Sequence, residues 1–320
     1  MGAIEPVAAN DGALLTSVAR MYYLDGLGQS EIAAMYGVSR STVSRMLTEA
    51  RGRGIVRISV DDFDPRDSEL EDCLQRRYGL RHVIVIRGMG ASAANLRRSI
   101  GYFAAPIVAG WIGSSRTVGV AGGRTIADVV SSMKPQGRQR DLNVVPLMGT
   151  IGSSPSAVDA AEISRSLARR FDGRFHAVNA PVYVQDGRAQ NLFLSHAQIN
   201  AVWSLFASMD QALVGIGTLE ESVFVDRQVL SPGDLIELRA VGAVGEICGR
   251  FFDSQGRECE SPFRDRVISV PLERLRESDD VIAVTAGAAR RDALRAAFAG
   301  GLVRSLVIDD TGARALVSGS

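Results

Sequence analysis

Lysine is almost missing from this chain: its 36 lysines and arginines include one lysine, Lys134. That residue lies in the loop-like stretch MKPQGRQRD, a poor place for a desolvated amine. Schiff-base chemistry and the Walker phosphate loop, which needs Gly-Lys followed by Ser or Thr, are therefore excluded. The three cysteines, Cys73, Cys248 and Cys259, have no metal-ligand spacing, so reduced thiols and no metal site are expected. The three histidines, His82, His176 and His196, are isolated in sequence and read as structural or surface groups. Trp111 and Trp203 fall in apolar helical segments and read as core. No run approaches the roughly 20 apolar residues that span a bilayer. The start MGAIEPVAAN lacks the basic segment and apolar core of a signal peptide, so a cytoplasmic protein is expected. A net charge of zero also rules out a global positive field for nucleic acid.

The positive charge is local instead. Between Ser39 and Arg57 stand Arg40, Arg45, Arg51, Arg53 and Arg57 against a single acid, Glu49. They coincide with QSEIAAMYGVSRSTVSRML (29–47), which has the grammar of a helix-turn-helix. Ile32 and Ala33 make the inner face of a short first helix, and Ala33 is small where the second helix crosses it. Gly37 supplies a positive φ at the turn. Val38 plugs the angle between the helices, and Ser39 N-caps the second. Val43, Met46 and Leu47 form its buried stripe. Ser39, Arg40, Ser41, Thr42, Ser44 and Arg45 are the candidate DNA-contacting residues, able to reach base edges or phosphates.

An earlier helix over Asp11 to Leu24 should complete the core of this unit, and the first ten residues read as mobile. The second helix should run to about Arg53 and stop at Gly54. Ile55 to Val60 alternates like a short strand, a wing or a lead-out, so the unit is either all-α or winged. The domain is placed at 11–60, and the acidic, Pro-containing DDFDPRD (61–67) as the linker. Ser68 to Tyr78 is helical, either a dimerising linker helix or the first helix of the next domain, 68–320. From His82 onward short apolar strands (HVIVIR, TVGVAGG with its Gly-Gly turn, NVVPLMG, ALVGIG, VISV, DDVIAVTAG, SLVIDD) alternate with helices, the signature of a parallel α/β sheet covered on both faces. The 46% hydrophobic content of 320 residues supports such a core.

The string YYLDGLGQSEIAAMYGVSRSTVSRMLTEARGRGIVRISV resembles the start of the SorC family of bacterial transcriptional regulators. The resemblance continues through GVAGGRTI, NVVPLMG, NAPVYV, LVGIGT, GAVGEICGRFFDSQG, TAGAARRDALRAAF and LVIDD, over residues 15–317. It implies a Rossmann-like sugar-binding domain of the ribose-phosphate isomerase and glucosamine-phosphate deaminase type, and a regulator that senses a sugar or sugar phosphate, often as a tetramer. Two departures stand out. Family members often have lysine before the C-terminal helix, where this chain has Arg290 and Arg291. Arg124 occupies a position that varies in the family.

Three places could hold an effector. Gly122 and Gly123 end a strand and would open a helix, exposing N–H groups where the helix dipole favours an anion, with Arg124 and Thr125 as further donors. The alternative is a tight turn without a ligand. Glu246, among the glycines of GAVGE, could accept hydrogen bonds from sugar hydroxyls, or stand solvated in a Gly-rich turn. Arg290, near a helix N-terminus, is either an effector contact or an ordinary surface arginine. No cofactor is implied. The competing reading is an aldose–ketose isomerase or deaminase acting on a sugar phosphate, since fold does not settle function. Such an enzyme needs an acid beside its base. No catalytic residues are assigned, because Glu246 has no evident partner and an enzyme has no use for the N-terminal reader.

Overall fold

A computed structural model describes residues 11–61, 63–88, 92–134 and 141–318. The first ten residues, which the sequence reads as mobile, and most of MKPQGRQRD lie outside the described residues, and so does Asp62 of DDFDPRD. The chain divides into Met1–Asp64 and Pro65–Ser320.

The first unit holds α1 (Asp11–Tyr23), α2 (Gln29–Tyr36) and α3 (Arg40–Gly52). Leu15, Val18, Ile32, Ala33, Val43 and Leu47 are buried together as its core. The Tyr36 hydroxyl donates to Ser17 Oγ (2.8 Å), tying α2 to α1. The expected strand over Ile55–Val60 does not form, and no wing strand exists among the described residues. Alternation alone cannot make a strand, because it needs a neighbouring edge to bond. Ile58 and Val60 stay 60% and 82% exposed, and the unit is all-α.

The second unit opens with α4 (Ser68–Tyr78), β1 (His82–Ile86), α5 (Ala93–Ile112), β2 (Thr117–Val120) and α6 (Arg124–Ser132). There follow β3 (Asn143–Pro146), α7 (Ala160–Phe171), β4 (Arg174–Phe175), α8 (Gly187–Ser195), α9 (Ala197–Leu205) and β5 (Gln211–Val214). Next come α10 (Val223–Asp226), α11 (Pro232–Ala240), β6 (Gly245–Ile247) and β7 (Arg250–Phe252). The chain closes with α12 (Leu272–Glu277), β8 (Asp280–Val284), α13 (Arg291–Ala299), β9 (Ser305–Asp309) and α14 (Asp310–Ser318).

Seven strands make one sheet in the order β1-β9-β8-β5-β2-β3-β4, every neighbouring pair parallel. β2, β8 and β9 are buried at every position, as a doubly covered sheet demands. From β2 the chain steps to β3 and β4 on one side, while β5, β8 and β9 follow on the other. The strand order therefore reverses between β2 and β5, and the carboxyl ends of those strands are where a ligand crevice is expected.

Helix α4 belongs to this unit, since Leu74 is buried in its core. Residues 65–67, grouped with the linker from sequence, are paired to the edge strand. Arg66 bridges to Ile86, Asp67 N–H donates to the Val85 carbonyl (2.9 Å), and Arg87 N–H donates to that of Pro65 (2.8 Å). VISV makes only isolated bridges, through Val267 and Ser269, instead of a strand. The Gly-rich GAVGE stretch enters an antiparallel hairpin, β6 with β7. Its two turn residues, Cys248 (φ 53°) and Gly249 (φ 78°), both take the positive φ that a two-residue hairpin matching strand twist requires.

Candidate functional site

In the reader unit, Gly37 ends α2 in the left-handed region (φ 63°, ψ 31°), and Val38 N–H donates to the Ala33 carbonyl (3.0 Å). Ser39 then caps α3. Its Oγ accepts from Thr42 N–H (3.1 Å) and contacts Ser41 Oγ and Thr42 Oγ1 at 2.7 and 2.8 Å. Ser39 and Thr42 are thus engaged in building the turn. Arg40, Ser41, Ser44 and Arg45 are exposed, at spacings that keep them on one face of α3. Neither Arg40 nor Arg45 has an ion pair or hydrogen bond among the described residues, whereas Arg53 is paired with Glu49 and Asp11. Two uncommitted guanidiniums on the outer face of a second helix are what groove reading needs.

The second unit has a cavity of about 780 Å³ over the carboxyl ends of β2, β3, β5 and β8, within the range of small-ligand sites. It gathers Gly122, Gly123, Arg124, Thr125, Glu246 and Arg290, residues far apart in sequence. Gly122 and Gly123 do link β2 to α6. A Cβ on Gly122 would lie 3.2 Å from the Val158 carbonyl oxygen, so the chain approaches the α7 entry tightly there. Gly123 N–H, however, donates to that same carbonyl (2.9 Å). The N–H groups without an intrahelical carbonyl are therefore those of the first turn, Arg124 to Ile126.

Glu246 departs from the picture of a solvated carboxylate: it is 6% exposed. Its Oε2 accepts from Gly249 N–H (2.8 Å) across the hairpin turn. The carboxyl lies so close to Gly217 that a Cβ there would sit 2.3 Å from Oε1. Tyr183 braces the turn by donating its hydroxyl to the Gly249 carbonyl (2.5 Å). Burial pushes the Glu246 carboxyl up to about 7, against the opposing pull of the Gly249 N–H and the Arg290 guanidinium. Burial also raises the neighbouring Cys248 thiol, which keeps it protonated.

Arg290 is locked in place. Its Nε donates to the Ile216 carbonyl (3.0 Å), Nη1 to that of Ala286 (2.8 Å), and Nη2 pairs with Glu221 (2.7 Å). Arg97, Asp159 and Arg227 are among the lining residues missed from sequence. Arg227 pairs with Asp159 (2.9 Å) and donates to the Ile151 carbonyl (2.9 Å), and Arg97 reaches the cavity from α5. Nothing local marks the Arg227–Asp159 pair, because its members come from loops after different strands, and nothing in the sequence of α5 sets Arg97 apart from Arg98. Among the described residues, no group of three His, Cys, Asp or Glu could hold a metal ion.

An exposed recognition helix and a strand-end cavity define a class: a helix-turn-helix regulator with an α/β effector domain. Residues 65–318 match the family described as "Putative sugar-binding domain", and residues 17–53 match sigma-70 region 4. The deoxyribonucleoside regulator of Bacillus subtilis is 29% identical over 306 residues, covering 95% of this chain and 97% of that protein. The erythritol catabolism regulatory protein EryD of Brucella abortus is 24% identical over 314 residues, 97% of this chain and 98% of that one. Among solved structures, the full-length sorbitol operon regulator SorC of Klebsiella pneumoniae has the same fold. Its TM-score is 0.76 at 23% identity, over 96% of this chain and 98% of that one. The chain belongs to the SorC family and carries that family's sugar-binding domain: it is a DNA-binding transcriptional regulator, not the isomerase or deaminase of the competing reading.

Proposed function

We propose that this regulator is a cytoplasmic homodimer or homotetramer whose operator affinity or assembly responds to a sugar, polyol or sugar phosphate bound over β2 and β5. The observation that carries the reading is the meeting of a buried acceptor, Glu246, with the donors of the α6 first turn in one cavity. In this arrangement Glu246 accepts from the effector's hydroxyls. The turn Gly122–Gly123 lets the ligand approach the backbone, while Arg124 and Thr125 donate. Arg290, with N–H groups to spare beyond its three bonds, supplies a further donor. On the reader, Ser39 and Thr42 hold the turn while Arg40, Ser41, Ser44 and Arg45 contact DNA. One short recognition helix makes few base contacts, so paired half-sites and at least a dimer are needed.

The test is a thermal-shift screen of sugars, polyols and their phosphates, followed by operator titration with each hit. A compound that stabilises the protein and shifts operator affinity is expected. If none of these compounds does both, the reading fails.

The pH dependence of binding is a sharper check. An effector whose hydroxyls donate to Glu246 needs the ionised carboxylate, so binding expels the proton that Glu246 carries below about 7. Affinity should be flat above that pH and fall about tenfold per pH unit below it, for as long as the effector itself does not titrate. Glu246→Gln should lower affinity on the order of tenfold at pH 8 and flatten the profile. Calorimetry between pH 5.5 and 8 would show it, and a wild-type profile without a break near 7 would remove Glu246 from the contact.

A further inference from the structure

The exposed row on α3 does not end at Arg45. Thr48 follows three residues after Arg45 and four after Ser44, so it stands on the same side, one turn further along. Gly52 closes the row after one more turn, and a Cβ there would meet nothing within 4 Å. On the opposite side Val43, Leu47 and Ala50 are buried in the reader's core. Glu49, the acid next to Thr48, is drawn aside by Arg53. The second half of the row therefore presents a short uncharged side chain and then none, which lets a base edge come close.

Thr48 has no hydrogen to offer such an edge. Its Oγ1 donates to the Ser44 carbonyl (3.0 Å), one turn back on its own helix. That bond holds χ1, already stiff in a β-branched residue, to one rotamer. With the hydroxyl folded onto the backbone of an exposed residue, the γ-methyl is the group left to face outward. Thymine alone among the four bases presents a methyl in the major groove, and apolar contact with it is a way for threonine to discriminate. The hydroxyl oxygen keeps lone pairs that can accept from an adenine or cytosine amino group. The two modes have opposite consequences for serine and valine at this position.

We infer that Thr48 reads a thymine in each half-site by packing its γ-methyl against the C5 methyl of the base. It thereby fixes one operator position that no hydrogen bond specifies. The inference rests on the reading of α3 as the groove helix and adds to it a residue and a base. Because Thr48 touches no phosphate in this arrangement, its replacement should change sequence preference and leave the salt slope alone.

The probe is an operator duplex selected from random sequence by the full-length protein, with thymines exchanged one at a time for deoxyuridine, which removes only the methyl. At one position the exchange should weaken wild-type binding about fourfold in one half-site and about fifteenfold in both. Thr48→Ser keeps the hydroxyl and drops the methyl. It should bind the unmodified duplex as weakly as wild type binds the exchanged one, and be indifferent to the exchange. Thr48→Val keeps a methyl and should stay sensitive. If the hydroxyl oxygen is the reader, Thr48→Val loses affinity, Thr48→Ser keeps it, and the inference falls. It falls too if no exchange matters, or if the sensitivity persists in Thr48→Ser. Arg45→Ala tells this failure from a deeper one. Affinity lost in Arg45→Ala while Thr48 is silent keeps α3 as the reader, whereas wild-type affinity in both Arg45→Ala and Thr48→Ser counts against α3 itself.

Discussion

Replacing Arg40, Ser41, Ser44 and Arg45 together by alanine should abolish specific operator binding while leaving the reader unit folded. All four are exposed and none belongs to the core formed by Ile32, Val43 and Leu47. Surface changes of this kind alter stability by about 0.5 kcal/mol or less each. A well-formed arginine–guanine contact discriminates by about 1–3 kcal/mol. Losing two such contacts costs about thirtyfold to twenty-thousandfold in affinity, before the serines are counted. Arg45→Ala alone separates two modes. A base contact relaxes one operator position, whereas a phosphate contact weakens all sequences alike and lowers the salt slope by about 0.9. Mobility-shift titrations at several salt concentrations, with circular dichroism to confirm helix content, provide the measurement. Wild-type affinity in the quadruple variant would move the DNA contacts off α3.

The reader was legible because its constraints are local. Gly37, Val38 and Ser39 must each be what they are for two short helices to cross, and the structure uses all three as the spacing predicts. The parallel sheet was legible for a similar reason, since runs such as Val83–Ile86 are apolar on both faces and suit only a doubly covered strand. What escaped depends on distant partners. Ile55–Val60 alternates correctly but finds no edge to pair with. The β6–β7 hairpin turns on Cys248–Gly249, a weaker signal than Asn-Gly or Asp-Gly. Glu246 stands among glycines, where sequence leaves open an effector contact or a solvated carboxylate, yet Gly217 and the turn braced by Tyr183 enclose it. The cavity's charge pattern was the least visible, because the pairs Arg227–Asp159 and Arg290–Glu221 decide which arginines remain open. Residue type alone made Arg290 and Arg124 look equivalent.

Effector and operator should each change the other's affinity by the same factor, about 5- to 150-fold, corresponding to a coupling of roughly 1–3 kcal/mol. The route from the cavity starts at Gly287, which donates its N–H to Asp309 (2.5 Å). Asp309 also accepts from the N–H groups of Thr311 and Gly312 at 3.1 and 3.2 Å, fixing the start of α14. Arg314 on α14 reaches the Asp67 carboxylate (3.6 Å), which also lies 3.7 Å from Arg87. Asp67 follows directly on the division between the units and is stapled to the edge strand β1. The last anchored point before the reader is therefore tied, through α14 and Asp309, to Gly287 of the cavity lining. A ligand that moves Gly287 by favouring one of two arrangements can change how paired readers are presented, provided it binds the two with different affinity. Contiguity alone does not establish coupling, so the energies must be measured. Effector affinity should be determined with and without saturating operator, operator affinity with and without effector, and mass followed by light scattering. Asp67→Ala should reduce the coupling while leaving effector affinity in the absence of DNA unchanged, because Asp67 lies outside the cavity lining. Equal effector affinity with and without operator, and no change in mass, would sink the allosteric reading and leave a ligand that binds without regulating.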